Sequence, residues 1–249
     1  MGNESIIYYE PALDKTIELF KQQNFFNGRF NDGELMGIRT RNSTSGFGEN
    51  IDQHKYFPKM GTEMRNVLLK YKYVNNYLIS STVTWYESNR DVIDEIFTIN
   101  PNLRLHSGYF FYDILKKPEF FHDFISFLNQ KNVVVVGPSY YNDNKLFKRC
   151  AVIEVPLINA YTAIDKINAQ IEEFNKVEEG INYVFMCGMM AGIIVDKFYL
   201  VDKKNSYYDV GSALDFFFQS SKFDGSFRVR RQNIELRQVL NNHYGDYIV

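Results

Sequence analysis

The stretch VVVVGP, residues 133–138, decides the fold class of this 249-residue chain. Four successive β-branched apolar residues, stopped by Gly-Pro, are typical of a strand buried on both faces of a sheet. Similar runs at residues 74–79, 151–155, 182–187 and 207–211 predict four more strands. Strands of this kind need helices above and below the sheet, because neither of their faces can be left in water.

Helical patterns lie between these runs. In residues 161–177, the apolar Ile164, Ile167, Ile171 and Phe174 recur at three- and four-residue steps, which gives a helix with one apolar face. Further helices are predicted over residues 11–23, 59–72, 118–129, 190–201 and 234–243. The alternation predicts an α/β, Rossmann-like domain, with a largely parallel sheet flanked by helices on both faces.

Composition and charge exclude several classes of protein. The net charge of −2 leaves no basic excess for a nucleic-acid partner. Cys150 and Cys187 sit in apolar runs and are interpreted as buried thiols, with no disulfide framework or zinc pattern. The N-terminus lacks the features of a signal peptide, Ile6 disagrees with a myristoylation motif, and no apolar run is long enough to span a membrane. We therefore expect a cytoplasmic protein without a transmembrane segment.

The chain has no linker, repeat or charge block that would divide it, so residues 1–249 are predicted to form one domain. Arg228, Arg230 and Arg231 form a local cationic cluster, interpreted as a solvated surface rather than a phosphate clamp. A homo-oligomer is compatible with these features.

Ligands of parallel α/β sheets bind outside the carboxyl ends of the strands. The candidate segments are residues 28–34, 137–140, 155–160, 187–192 and 209–212, and four of these contain Gly. Free backbone N–H groups in such loops suit a phosphate. None of the loops is a Walker sequence or a G-x-G-x-x-G fingerprint, and a Gly after a strand is often only a turn.

The first of these loops contains an acidic pair, Asp32 and Glu34, around Gly33. Two carboxylates at i and i+2 can point to one side of an extended or turning backbone and offer hard oxygen ligands to Mg²⁺ or Mn²⁺. Such an ion keeps positions open for diphosphate oxygens. Asn-Asp-Gly is also a turn sequence, and Asp32 could instead cap the helix that follows. The residues alone support both interpretations equally.

The segment RFNDGE, residues 29–34, resembles the Arg-x-Gly-Asp-Gly-Glu segment of GT-D fold glycosyltransferases, whose Asp-x-Glu motif binds the metal. The similarity continues in order through VVGP (135–138), IEVPLINAY (153–161), MCGMMAG (186–192) and YDVGSALD (208–215). It covers about residues 26 to 216. The resemblance implies a single-domain glycosyltransferase that moves a sugar from a nucleotide-diphosphate sugar to a glycan or glycosylated acceptor.

The same resemblance implies roles for individual residues. Asp32 and Glu34 would hold a divalent metal, manganese or magnesium, and Arg29 would contact the diphosphate or orient a carboxylate. Donor binding is assigned to Asn31, Gly137, Pro138, Ser139, Asn159, Gly188, Met189, Asp209, Gly211 and Ser212. Structural alternatives stay open for three of them: a surface salt bridge for Arg29, a helix cap for Asn159, and bonds to backbone N–H groups for Asp209.

The chain also departs from the family pattern. Asn31 replaces a Gly, and Ser212 stands where many members have His. Residues 80–128 match least and are predicted to form a variable acceptor side that includes Trp85, Arg104, His106 and Tyr109. His106 is a candidate acid/base or acceptor contact in a polar loop, although a single loop His is more often a solvated residue.

Two rival functions fit parts of the pattern. An α/β methyltransferase would use Asp-Val-Gly-Ser at residues 209–212 as an adenosyl-binding loop, but that loop is expected near the first strand and here lies near the last. A non-catalytic nucleotide-binding module would have no reason to keep both Asp32 and Glu34.

Overall fold

The structure is a computed structural model that describes residues 7–9, 13–42, 53–217 and 242–247. The helix predicted over residues 234–243 lies outside these ranges except for its last two residues, and the cluster of Arg228, Arg230 and Arg231 lies wholly outside them. Among the described residues, no helix is long and apolar enough to cross a membrane.

Eight strands of the described residues form one sheet in which every neighbouring pair is parallel. They are β1 (Ile7–Tyr9), β2 (Phe26–Arg29), β3 (Tyr77–Ser81), β4 (Arg104–Ser107), β5 (Val133–Gly137), β6 (Cys150–Glu154), β7 (Asn182–Phe185) and β8 (Ser206–Asp209). Their order is β1-β4-β3-β2-β8-β7-β5-β6. The central neighbours β2 and β8 come from opposite ends of the chain, so the fold brings their carboxyl ends together.

Helices cover both faces of the sheet, as predicted. They are α1 (Leu13–Phe20), α2 (Asp32–Thr40), α3 (Pro58–Lys70), α4 (Val83–Ser88), α5 (Arg90–Ile99), α6 (Phe110–Leu115), α7 (Pro118–Leu128), α8 (Ile164–Val177) and α9 (Ala191–Val201). One core lies under α2, α3, α5, α8 and α9, and the other lies under α1, α6 and α7. In β5, Val134 and Val136 enter the first core while Val133 and Val135 enter the second.

All five predicted strands are present, with one shifted. The strand expected at residues 74–79 begins at Tyr77, because Val74 forms only an isolated bridge with Tyr77, and it continues through the buried Ser80 and Ser81. The strands β1 and β4 were not predicted, and β2 was implied only by the candidate loop at residues 28–34; the sequences of β2 and β4, FNGR and RLHS, contain no apolar run. In β2 the polar Asn27 is buried and its amide donates a hydrogen bond to the carbonyl of Asp209, and in β4 His106 is buried whereas Arg104 is exposed.

Helices α2 and α3 cross at two glycines. A Cβ atom on Gly61 would lie 2.2 Å from the carbonyl oxygen of Gly37, and one on Gly37 would lie 2.7 Å from the end of Met64. The missing side chains let the two backbones approach closely. This crossing matters for the site, since α2 carries Asp32 and Glu34 in its first turn.

Gly61→Ala tests this crossing. Ala favours a helix over Gly by about 1 kcal/mol, but here its methyl group would force α3 away from α2. We expect a net loss of about 1–3 kcal/mol in the free energy of unfolding, the usual cost of overpacking. Urea denaturation measures it, with the exposed Asn66→Ala on the same helix as the control. Equal stability of the two variants would contradict the close crossing.

Candidate functional site

Asp209, the last residue of β8, holds the carboxyl ends of the two central strands together. Its Oδ2 accepts a hydrogen bond from the backbone N–H of Arg29 at 3.0 Å, and its Oδ1 accepts one from the N–H of Gly211 at 3.1 Å. Its backbone carbonyl accepts a third from the side-chain amide of Asn27 at 3.0 Å. Asp209 is 4% exposed. Its carboxylate therefore positions two backbone segments, which is the structural alternative raised for this residue.

Arg29, the last residue of β2, lies against the loop that follows β8. A Cβ atom on Gly211 would come within 1.6 Å of Arg29 Nη1, and Gly211 has a φ of 55°. Glycine is therefore required there twice, by the left-handed backbone and by the guanidinium that occupies its side-chain space. Within the described part of the chain, the buried Nε of Arg29 has no hydrogen-bond partner. Arg29 is thus partly buried against the loop after β8 rather than extended into the solvent.

The acidic pair lies in the first turn of α2. Asn31 is the N-cap residue, so Asp32 is not the cap that the alternative interpretation expected. The carboxylate Oε2 of Glu34 accepts a hydrogen bond from the N–H of Asn31 at 2.9 Å, and Asn31 Oδ1 accepts one from the N–H of Thr82 at 3.0 Å. The backbone is helical rather than extended, and side chains at i and i+2 of a helix do not face each other. Glu34 approaches the cluster because its side chain turns back over the helix N-terminus.

Glu34, Asp209, Asp32 and Cys187 form one electrostatic cluster with Arg29. Burial, followed by the charges of Asp209 and Asp32, raises the pKa of Glu34 to about 7, although part of this residue reaches the solvent. Burial also raises the pKa of Asp209 to about 6, against the opposing effects of Arg29 and the two backbone N–H groups. The pKa of the Cys187 thiol is raised far above its usual range by burial and by the same two carboxylates. The cluster therefore contains three carboxylates, those of Asp32, Glu34 and Asp209, and one guanidinium, that of Arg29.

This cluster fits a cation that is shared with a ligand. Among the residues that the structure describes, no group of three or more His, Cys, Asp or Glu side chains is arranged to hold a metal by itself. Mg²⁺, however, commonly binds through one or two carboxylates together with substrate phosphates and water. Burial is the largest cause of the raised pKa of Glu34, and the charges of Asp209 and Asp32 add a repulsion that a bound cation would offset. Asp32 and Glu34 are therefore suited to an ion that a diphosphate helps to hold.

The loop after β5 supports the one after β8. A Cβ atom on Gly137 would lie 2.4 Å from the ring of Tyr141, so Gly137 provides the space in which that ring packs. The Tyr141 hydroxyl in turn donates a hydrogen bond to the buried carboxylate of Asp215. Pro138 is buried and Ser139 is exposed. Of these predicted donor contacts, Ser139 is the one whose side chain is open to solvent.

In the loop after β7, too, one predicted donor contact is exposed and another is buried. Gly188 has a φ of 70° and is exposed, with no atom within 4 Å of the position of a Cβ, whereas Met189 packs into the core. Asn159 accepts a hydrogen bond from the N–H of Lys55 at 2.7 Å through its side chain, and its own N–H donates to His54 Nδ1 at 3.1 Å. Its side chain therefore anchors the segment before α3 and does not cap the helical turn that follows.

Ser212 connects the donor loops to the predicted acceptor side. Its hydroxyl shares a hydrogen bond of 2.8 Å with the hydroxyl of Tyr112 on α6. A residue of the 80–128 stretch, Tyr112, thus contacts the loop after β8. The contact is made at Ser212, the position where many GT-D members have His.

His106 lies outside the acidic cluster and is not in a loop, as the sequence interpretation had placed it. It belongs to β4, is 4% exposed, and stacks on the ring of Tyr73 at a centroid distance of 5.7 Å. Burial, and then the charge of Arg104, lowers its pKa to about 4. It is therefore a neutral imidazole at pH 7. Trp85 packs partly against the first core, while Tyr109 is exposed beside Thr84.

Sequence reasoning missed two residues of this region, Asn27 and Cys187. Asn27 fixes the end of β8 through the carbonyl of Asp209, and Cys187 lies beside both buried carboxylates. A signal was present only for Cys187, which directly precedes the loop glycine Gly188.

The fold is similar to that of known structures. The glycosyltransferase of domain of unknown function 1792 from Streptococcus sanguinis superimposes with a TM-score of 0.62 at 13% identity, over 88% of this chain and 87% of that one. A structure of the same domain, described as a distinct glycosyltransferase fold, gives 0.59 at 14% identity over 88% and 83%. Neither a protein-family model nor a curated protein sequence matches this chain. The resemblance seen in the sequence is thus confirmed for the fold.

The raised pKa of Glu34 predicts a pH-dependent stability. The folded protein retains a proton that the unfolded chain releases between about pH 4.5 and 7, so the free energy of unfolding should fall as the pH rises through this window. Glu34→Gln should reduce the slope and make the protein more stable at pH 8, by at most about 3 kcal/mol at ~1.4 kcal/mol per pKa unit. Urea denaturation at pH 5 and pH 8 in EDTA, with the exposed Glu173→Gln as control, measures this effect. Parallel pH profiles for Glu34→Gln and the parent would contradict it.

Gly211→Ala tests the contact with Arg29. Gly188→Ala is the matched control, because both positions have positive φ and each should lose about 1–2 kcal/mol for the left-handed backbone. Only at Gly211 would the methyl group also displace a guanidinium. Gly211→Ala should therefore cost more free energy of unfolding than Gly188→Ala, and adding Arg29→Ala should recover part of the difference. Additive effects of Arg29→Ala and Gly211→Ala would disprove the contact.

Proposed function

We propose that this protein is a metal-dependent glycosyltransferase that moves a sugar from a nucleotide-diphosphate sugar to a glycan or glycosylated acceptor. The observation that carries the proposal is the cluster of Asp32, Glu34 and Asp209 beside Arg29, at the carboxyl ends of β2 and β8. Ligands of open parallel sheets bind at this edge, and the fold is similar to that of a glycosyltransferase.

Each residue of the cluster has a role in this proposal. Asp32 and Glu34 would hold a manganese or magnesium ion, which when bound would neutralise charge on the departing diphosphate. Arg29, placed by Asp209 and by the space at Gly211, presents its guanidinium to a phosphate oxygen. The exposed Gly188 and Ser139 leave room for the rest of the nucleotide at the ends of β7 and β5.

Asp209 takes a positioning role in the proposal rather than the ligand contact expected from the sequence. Both of its carboxylate oxygens already accept backbone N–H groups. A methyltransferase would need the acidic residue of this loop to bind the adenosyl ribose. Because the Asp209 carboxylate is already engaged by backbone N–H groups, the hydrogen bonds favour a glycosyltransferase over a methyltransferase. The cytoplasmic location and a homo-oligomeric state stay predictions from the sequence.

The test is calorimetric titration of nucleoside diphosphates with Mn²⁺ or with EDTA. We expect Mn²⁺ to increase affinity at least tenfold in the parent, because the ion would supply positive charge between the carboxylates of Asp32 and Glu34 and the diphosphate. Asp32→Asn and Glu34→Gln should lose this increase and abolish transfer from a nucleotide sugar, while circular dichroism shows intact folding.

Glu173→Gln, an exposed carboxylate on α8 paired with Lys176, is the control and should behave like the parent. Equal affinity of the parent in Mn²⁺ and EDTA would reject the metal assignment. A melting temperature raised by S-adenosylmethionine, and by no diphosphate, would reject the transferase proposal itself.

A further inference from the structure

A cavity lies beside the acidic cluster, on the opposite face of the sheet from α2. It has a volume of about 280 Å³ and is lined by residues of α1, α6, β2, β3 and β4. This volume is near the lower limit of small-molecule pockets, about 300–1,000 Å³. The cavity therefore suits one small ring-sized group rather than an extended chain.

The floor of the cavity is polar and buried. Asn27, Ser80 and His106 line it, and none of them is more than 4% exposed. The Ser80 hydroxyl donates to Asn27 Oδ1 at 3.3 Å, and the amide of Asn27 donates to the carbonyl of Asp209. Hydroxyl, amide and neutral imidazole groups can each exchange hydrogen bonds with an uncharged polar ligand. Such groups at the bottom of an enclosed cavity fix the orientation of a ligand.

The walls are apolar, with Leu13 and Phe20 from α1, Leu78 from β3, and Phe110 from α6. The mouth carries the exposed Lys116 and Lys117 together with Asp113, which forms an ion pair with Lys116, so the cavity opens to solvent there. A polar floor under apolar walls matches a sugar ring, which has hydroxyl groups at its edge and C–H groups on its faces.

The cavity adjoins the acidic cluster through the same strands. Ser80 is the register partner of Arg29 across β2 and β3, and Asn27 lies two residues before Arg29. Because side chains alternate along a strand, Asn27 faces the cavity while Gly28 faces α9. A ligand on Ser80 and Asn27 would thus lie next to the carboxyl end of β2, where the donor is proposed to bind.

We infer that this cavity binds a single uncharged sugar unit of the acceptor. The inference rests on the proposed function and specifies its acceptor side, which the sequence places in residues 80–128. Ser80, His106 and Phe110 of that stretch meet Asn27 and α1 here. The acceptor therefore approaches the donor from the side of β3 and β4.

The experiment blocks the cavity and measures binding of small glycosides. The probes are the methyl glycosides of glucose, galactose, N-acetylglucosamine and rhamnose, followed by saturation-transfer NMR. We expect saturable binding of at least one probe to the parent. Leu13→Trp should fill the cavity and weaken that binding at least tenfold, while Lys15→Trp, on the exposed face of the same helix, should leave it unchanged.

Ser80→Ala removes a floor hydroxyl without adding bulk and should weaken binding several-fold, with the exposed Ser88→Ala as its control. Absence of binding by all four glycosides, or equal binding by the parent, Ser80→Ala and Leu13→Trp, would overturn the inference. Nucleoside diphosphate affinity is measured on the same proteins. If glycosides bind at the cavity but no nucleoside diphosphate binds, the proposed function is rejected and the sugar site is supported. If a nucleoside diphosphate binds but no glycoside does, only the sugar site is rejected.

Discussion

The structure depends on one buried carboxylate, that of Asp209. A charged group in the interior is costly unless hydrogen bonds satisfy it, and here both oxygens accept backbone N–H groups, from Arg29 and Gly211. The bond from Arg29 joins residues of β2 and β8 that are 180 positions apart in the chain. The two bonds also place the guanidinium of Arg29 over Gly211 and fix where the loop after β8 begins. The geometry of the candidate site follows from this link.

The same link concentrates negative charge. Asp209 cannot leave the interior, and Glu34 is held at the N-terminus of α2 by its bond to the N–H of Asn31. Burial raises the pKa values of both carboxylates, the charges of Asp209 and Asp32 raise that of Glu34 further, and Arg29 offsets only part of these effects. A folded protein that keeps acidic groups so close loses stability in doing so, and perturbed groups of this kind are concentrated at functional sites. A divalent cation with a diphosphate would convert the repulsion into binding energy.

The acidic cluster and the cavity lie on different sides of the sheet and differ in their side chains. The acidic cluster lies at the ends of β2 and β8, next to α2, whereas the cavity with Asn27, Ser80 and His106 lies under α1 and α6. Asn27 joins them, since its amide bonds the carbonyl of Asp209 while its side chain lines the cavity. Tyr112 and Ser212 make a second connection between α6 and the loop after β8. Two ligands could therefore meet at the end of β2 while their binding surfaces stay distinct.

The sequence alone determined the fold class, because runs such as residues 133–136 are apolar at every position and tolerate only a strand covered on both faces. It also located the acidic pair and the glycine loops, since parallel strands present their carboxyl ends at one edge. Tertiary structure decided what the local pattern does not encode. The strands β2 and β4 lack an apolar run in the sequence, and in β2 the buried Asn27 is hydrogen-bonded to Asp209 and Ser80, which lie far away in the chain. His106 is a buried strand residue because Tyr73 covers it, and Gly211 is required by a guanidinium from another strand. Such contacts join positions far apart in the chain, so no periodicity within the sequence reveals them.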